Sequence, residues 1–496
     1  MNRRLVTTTL LAVLLFPILT VVPVLADVDK VFDAISAKSK SGDAFVRLLT
    51  DNVDSWYARW HITSNAKKSI DCTYFIVETD VFGRAFVGLL LKKAKEGVPI
   101  RLMVDARGTK SLSRMTLGRD YLQELMQHKG VTIKVYNPLH AALLNLPRDI
   151  REPIASNHDK LLIADGEWVI TGGRNVSANY FASWKDHPKA YRDTDVLLKG
   201  AGIAEAAKKA FELEFDILRN ADVNKDWLGN WDSQDIPLEV ARRTMEQFMM
   251  GNGLIDAAKF DGDIPSLEEC NKELAKFPGI SSYSGFQPFR GERAYPSLLL
   301  DKTSLLAQGN DITDNLVRFF DAAEKKIIIQ NPYVVLTEKA MASLKRASAR
   351  GVAIFLLTNS PDSTDSLLTQ AMFVKEWKHI MKAVPTLRIF AYRGPAKVHA
   401  KVFSIDDKVA MIGTYNLDPL SEKVNSEEIA VVKSSAFATQ NRLRIENDAK
   451  NSVEYKIRLA ADGTPEQVVG PSDHVKAAAL QAVERAQLAS FLRPVI

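Results

Sequence analysis

Apolar and polar positions along this chain follow one order of elements, and the order occurs twice. Residues 69–77 make a short, mostly apolar run of strand character. Residues 83–95 then place Phe86, Leu89, Leu90 and the stem of Lys93 on one helical stripe. Gly97-Val98 opens the next strand, which runs to Asp105. In the second half, Ala323-Glu324-Lys325-Lys326-Ile327 answers Ala66-Lys67-Lys68-Ser69-Ile70, residues 338–349 are helical, and Gly351-Val352 opens a strand to Thr358. Strand, helix, Gly-Val and strand therefore form a duplicated α/β unit. Helical crossovers join parallel strands, so mostly parallel pairing is expected in each unit.

Downstream of each copy stands the same short motif. His158-Asp159-Lys160 leads through Leu161-Leu162-Ile163-Ala164 to Asp165 and, after six residues, to Gly172-Gly173-Arg174-Asn175. His399-Ala400-Lys401 leads through Val402-Phe403-Ser404-Ile405 to Asp406 and, after six residues, to Gly413-Thr414-Tyr415-Asn416. A single H-x-K-x4-D arises by chance in roughly 3% of chains this long, whereas two copies with matching trailing Gly and Asn do not. Asp165-Gly166 and Asp406-Asp407 are turn dipeptides, so each motif reads as a hairpin, with residues 168–171 returning in the first. Within a strand, His158 and Lys160 share one face and Asp159 takes the other. The glycines are expected to leave room for a ligand. Asp165 and Asp406 belong to the motif, and their place at the far end of the hairpin suits holding the turn.

Each site thus offers an imidazole, an ammonium and an amide, a set suited to a tetrahedral anion such as phosphate. Lys and Asn stabilise the non-bridging oxygens and leave the imidazole free to react. Two facing sites supply one histidine to attack and one to protonate the leaving group. A metal site fits poorly, because each His has a Lys two residues on and no Cys or Glu stands at ligand spacing. No metal and no cofactor is expected.

These residues resemble the phospholipase D superfamily, which carries this motif twice. Thr171-Gly172-Gly173-Arg174-Asn175 and Asn416-Leu417-Asp418-Pro419 look closest to its bacterial cardiolipin synthase branch. The resemblance covers about residues 45 to 435. It implies two duplicated α/β domains, each a mixed sheet flanked by helices, with the active site at the pseudo-two-fold interface. It also implies that His158 attacks phosphorus and His399 serves the alcohol, with Asp193 and Glu427 as the carboxylate partners of the two histidines. The implied catalytic set is His158, Lys160, Asp165, Asn175, His399, Lys401, Asp406, Asn416, Asp193 and Glu427. Lys160, Asn175, Lys401, Asn416 and Thr414 are expected to touch substrate. Gly173, where the second site has Thr414, weakens the case for equal roles of the halves. The expected partner is a phospholipid at a membrane surface, with water or an alcohol as acceptor and a monomeric active unit. A nuclease of the same superfamily is the alternative enzyme, and a catalytically dead binding module the alternative of another class.

The rest of the chain adjusts this picture. The 496 residues are 46% apolar and 25% charged with a net charge of +5, an ordinary globular composition. No dense basic patch interleaved with aromatics stands out, so nucleic acid is not the expected partner. Arg3-Arg4, the apolar residues 5–22 and Val24-Leu25-Ala26 read as a signal peptide over 1–26, with an uncleaved anchor as the alternative. Export to the periplasm or beyond follows from either. Cys72 and Cys270 are too few for a disulfide scaffold. The expected domains are 27–220 and 301–440, a variable connection at 221–300, and a C-terminal extension at 441–496 with a hairpin over 455–469 and a helix over 475–492. Residues 136–147 read either as an acyl-groove or membrane-contacting segment or as a buried connector.

Overall fold

The computed structural model describes residues 27–39, 42–109, 112–113, 119, 121–138, 151–217, 220–223, 236–306, 309–459 and 465–471. The apolar N-terminal segment, most of 136–147 and the helix expected over 475–492 lie outside them. Among the described residues, no helix is long and apolar enough to cross a membrane.

The first unit contains β1 (Asp43–Leu49), β2 (Ile70–Tyr74), β3 (Ile100–Asp105), β4 (Val131–Tyr136), β5 (Lys160–Ala164), β6 (Trp168–Gly172), β7 (Asp195–Lys199) and β8 (Ala221–Asp222). They pair in the order β8-β4-β3-β2-β5-β6-β7-β1. The second contains β9 (Ala294–Lys302), β10 (Lys326–Gln330), β11 (Ala353–Asn359), β12 (Leu387–Tyr392), β13 (Lys401–Ile405), β14 (Val409–Gly413), β15 (Glu427–Lys433), β16 (Ser452–Leu459) and β17 (Pro465–Val469). Their order is β17-β16-β12-β11-β10-β13-β14-β15-β9. β1 also pairs with β9, which joins the two sheets.

Among the described strands, only β2-β3-β4 and β10-β11-β12 are parallel, so mostly parallel pairing was too strong an expectation. Helical crossovers build those three-strand blocks. The hairpin and the strand after it are linked by shorter connections and run antiparallel, which makes each sheet mixed.

Side chains alternate between an outer core and a core shared by both halves. Leu161 and Ile163 enter the shared core with Val402, Ala410 and Ile412, whereas Leu162 and Ala164 face the other way, into a core shared with the helices Asn52–Asn65 and Val81–Lys95. The helices Ala201–Phe215 and Ser435–Ala449 complete the shared layer.

Three segments differ from the expected domain limits. The helix Val28–Ser39 packs Val28, Val31, Phe32 and Ile35 into the core of the second unit. Residues 238–249 pack on the helix Val81–Lys95, where a Cβ on Gly88 would lie 2.4 Å from the Leu238 carbonyl oxygen. β16, from the expected C-terminal extension, pairs with β12 and extends the second sheet. Cys72 and Cys270 are both buried free thiols.

Candidate active site

The two motif histidines stand just ahead of β5 and β13, the strands that Lys160 and Lys401 begin. Short parallel bridges, Asn157 to Ser426 and Val398 to Arg192, tie each histidine's approach to the opposite half. Their consequence is a crossed pairing. His158 Nδ1 lies 2.9 and 3.0 Å from the carboxylate oxygens of Glu427, in the second unit. His399 Nδ1 lies 2.7 Å from Asp193, in the first. Each imidazole thus commits Nδ1–H to a carboxylate, which fixes the tautomer and leaves Nε2 for chemistry. Both carboxylate side chains are fully buried, and the imidazoles are 12% and 7% exposed.

The site buries two lysines and two histidines, and burial is the largest cause of the fall in the pKa of each. Burial and repulsion by Lys401 push Lys160 down to about 7, and burial pushes Lys401 down to about 8 against the pull of Asp193 and Glu427. Burial and the two ammonium groups push His158 well below its ordinary value. Two lysines and two histidines in this condition make a site that an anion would relieve. Lys160 Nζ donates to the His158 carbonyl, and Lys401 Nζ to the His399 carbonyl while lying 3.1 Å from both His399 ring nitrogens.

The Cardiolipin synthase, PLD-like domain family matches this chain at residues 60–214 and 316–449, which takes in both motifs and more than half of the sequence. The chain belongs to that family. Cardiolipin synthase C of Escherichia coli (strain K12) is 26% identical over 423 residues, covering 79% of this chain and 81% of the relative. Cardiolipin synthase 1 of Bacillus anthracis is 25% identical over 419 residues, covering 83% of this chain and 67% of the relative. The crystal structure of phosphatidylserine synthase from Haemophilus influenzae Rd KW20 superposes with a TM-score of 0.59 at 11% identity, covering 94% of this chain and all of that one. It is a likeness of fold.

Within this PLD-like architecture, several motif residues do other work than expected. Asp165 and Asp406 are not at the reaction centre. Asp165 accepts the backbone N–H groups of Lys67, Lys68 and Ser69, and Asp406 those of Glu324, Lys325 and Lys326. Each closes the far end of its hairpin with a φ near the left-handed region, 59° and 53°, and anchors the start of β2 or β10. They leave the catalytic set for a structural one.

Asn175 and Asn416 also differ. Asn175 Oδ1 accepts the Ile76 N–H and its Nδ2 donates to Tyr180, whereas buried Asn416 Oδ1 has no partner among the described residues. Asn416 therefore has the freer amide for a ligand. Thr414 is not placed for substrate, because its hydroxyl accepts the Glu428 N–H at 2.9 Å and steadies the Glu427-Glu428 pair.

The glycines make room for the neighbouring strand, not for a ligand. A Cβ on Gly413 would meet the Glu428 carbonyl at 2.1 Å, and one on Gly172 would meet Asp195 Cα at 2.5 Å. A Cβ on Gly173 would lie 2.0 Å from Asp193 Oδ1, so the missing hydroxyl at this position makes space for the carboxylate that holds His399.

Sequence reasoning missed Ser421 and Ser426. Ser421 donates to Glu427 Oε1 and accepts the Asn416 N–H, while Ser426 Oγ accepts the His158 N–H at 3.2 Å and donates to Asp159. The Asn416-Leu417-Asp418-Pro419 string held the signal for the first: Asp418 caps the helix Pro419–Lys423 and thereby presents Ser421. His187 lies away from both motif histidines, with its Nε2 2.8 Å from Asn179 Oδ1.

Proposed function

We propose that this protein is an exported phosphatidyltransferase of the cardiolipin synthase kind, working through a phosphohistidine on His158. The crossed pair of imidazoles carries the reading, since two Nε2 atoms and two lysines converge in one buried site. The family match and the cardiolipin synthase relatives support phosphatidyl transfer as its chemistry.

The two histidines are unequal in a way that suits two roles. Burial raises Glu427 to about 7, against the opposing pull of Lys160 and Ser421. Asp193, equally buried, is instead held below the ordinary carboxylate range by His399, Lys401 and Arg174. A neutral imidazole is the nucleophile, and His158, depressed and facing the weaker counter-charge, is kept neutral. Burial and Lys401 lower His399 as well, but Asp193 opposes them and the fall is smaller than at His158, so His399 is the better imidazolium of the two and the general acid.

His158 Nε2 attacks phosphorus as the bond to the leaving alcohol breaks, and His399 supplies that oxygen's proton. Lys160, Lys401 and Asn416 stabilise charge on the non-bridging oxygens. His399 then accepts the proton of the incoming hydroxyl, whose oxygen takes phosphorus from His158. Water in that place gives phospholipid hydrolysis.

Thin-layer or mass analysis of products from phosphatidylglycerol micelles tests the reading: a dimeric phospholipid with released glycerol supports transfer, and phosphatidic acid alone supports hydrolysis. Export rests on the Arg3-Arg4 and apolar 5–22 pattern. Intact mass of exported protein beginning at Asp27 would support cleavage, and mass retaining Arg3 and Arg4 would point to an anchor.

A further inference from the structure

The two ends of the site are lined differently. Among the described residues, the His158 ring meets one aromatic ring, Phe75, at 5.2 Å between centroids. The His399 ring stands among three tyrosines: Tyr191 at 5.2 Å, Tyr180 at 5.4 Å and Tyr333 at 6.3 Å. Tyr191 comes from the first unit and Tyr333 from the second, and both hydroxyls donate to one carboxylate. They reach Asp365 at 2.9 and 2.7 Å.

Asp365 lies between β11 and the helix Leu367–Ala383, and it is exposed. The positive groups that act on it include His399, Lys397 and Lys401, and the Lys397 ammonium sits 5.4 Å over the Tyr191 ring. None of these residues is needed to orient an imidazole, since Asp193 and Glu427 already do that.

We infer that Asp365, clasped by Tyr191 and Tyr333, is the acceptor subsite, and that it holds a hydroxyl-bearing alcohol against His399 so that transfer outruns hydrolysis. This rests on the two-histidine transfer reading above. In the second half-reaction the acceptor O–H gives its proton to His399 Nε2 and its oxygen bonds phosphorus. The P–N bond to His158 breaks, and its electron pair returns to the imidazole. Water can do the same without being held, so an enzyme that transfers must favour the alcohol by binding it.

The rim has the parts for that. The Asp365 oxygens keep lone pairs beyond the two tyrosine protons and accept from a second hydroxyl or an ammonium on the acceptor. Lys397 donates to the acceptor's own oxygens, and the tyrosine rings cover its carbon skeleton. The chemical class this fits is a small polyol or amino alcohol, free or as a lipid headgroup.

The test uses the full chain with phosphatidylglycerol mixed micelles and added radiolabelled glycerol. Label entering lipid counts transfer to a free polyol, dimeric phospholipid counts transfer to a headgroup, and phosphatidic acid counts hydrolysis. Asp365→Ala should lower the ratio of transfer to hydrolysis on the order of tenfold or more, the effect of losing a hydrogen bond to a charged acceptor. Asp365→Glu should restore most of it. The double change Tyr191→Phe with Tyr333→Phe, which keeps both rings and frees the carboxylate, should shift the ratio the same way. A ratio that does not move in Asp365→Ala overturns the inference, and so does equal loss of all products. A wild-type protein that forms none of them would instead count against the phosphodiester reading itself.

Discussion

Glu427 reaches His158 from 269 residues away, closing to 2.9 Å on Nδ1 across the interface of the two units. Asp193 does the same for His399 in the opposite direction. Neither half owns a complete histidine–carboxylate pair, so the reaction centre exists only when the halves are docked. Glu427→Gln and Asp193→Asn should each lower kcat by about 10²–10⁴-fold, the usual range for disabling acid–base help. Steady-state kinetics checks this. The loss should fall on kcat more than KM, and an unchanged kcat in either variant would remove that carboxylate from the mechanism.

Asp165→Ala should weaken the fold rather than the chemistry. It strips acceptors from the N–H groups of Lys67, Lys68 and Ser69, and partial exposure lets water replace some of them. A loss of about 1–2 kcal/mol in unfolding free energy is expected, with kcat of the folded fraction nearly kept. Denaturant melts beside kinetics separate the two, and a large fall in kcat at unchanged stability would return Asp165 to the catalytic set.

Gly173→Ala makes the opposite prediction. Its Cβ would occupy space within 2.0 Å of Asp193 Oδ1, so the carboxylate must shift and His399 loses its hold. Turnover should fall by at least about tenfold with little change in the thermal midpoint. Near-normal kcat would show that Asp193 is less closely placed than the geometry says.

How far the sequence carried this account depends on the range of each interaction. The motif hairpins, the shared face of His158 and Lys160, and the turn position of Asp165 were legible because they follow from alternation and turn chemistry within a dozen residues. The pairing of His158 with Glu427 was not, since it depends on how two similar units dock. Gly172 and Gly413 were legible as close approaches, but what approaches them is β7 and β15. The stripe Val28, Val31, Phe32 and Ile35 marks an amphipathic helix, and nothing in its pattern says that it packs on the second unit. Asp365, Tyr191 and Tyr333 carry no local signature at all.

The lysines make anion binding depend on pH. Burial and Lys401 lower Lys160 to about 7, and burial lowers Lys401 to about 8. A bound dianion raises both values, so binding takes up protons above about pH 7, and affinity should fall as pH rises through 7 and 8. Tungstate does not titrate there, and calorimetry in buffers of different ionisation enthalpy should record proton uptake near pH 8. Lys160→Met should reduce both the affinity and the uptake. Binding that is independent of pH from 6 to 9 would show that the lysines are not the anion's partners.

The central claim is that His158 carries the phosphoryl group while His399 moves the proton. Because the two act as a unit, His158→Ala and His399→Ala should each cost nearly as much turnover as the double variant. The most direct measurement is an alkaline denaturant quench of each single variant with a phosphorus-labelled phosphodiester bearing a good leaving group, followed by peptide mapping of the label at alkaline pH. His399→Ala should accumulate acid-labile phosphohistidine at His158, and His158→Ala should carry none. Label on His399 in the His158→Ala protein would reverse the roles, and normal turnover in either variant would contradict the two-histidine mechanism.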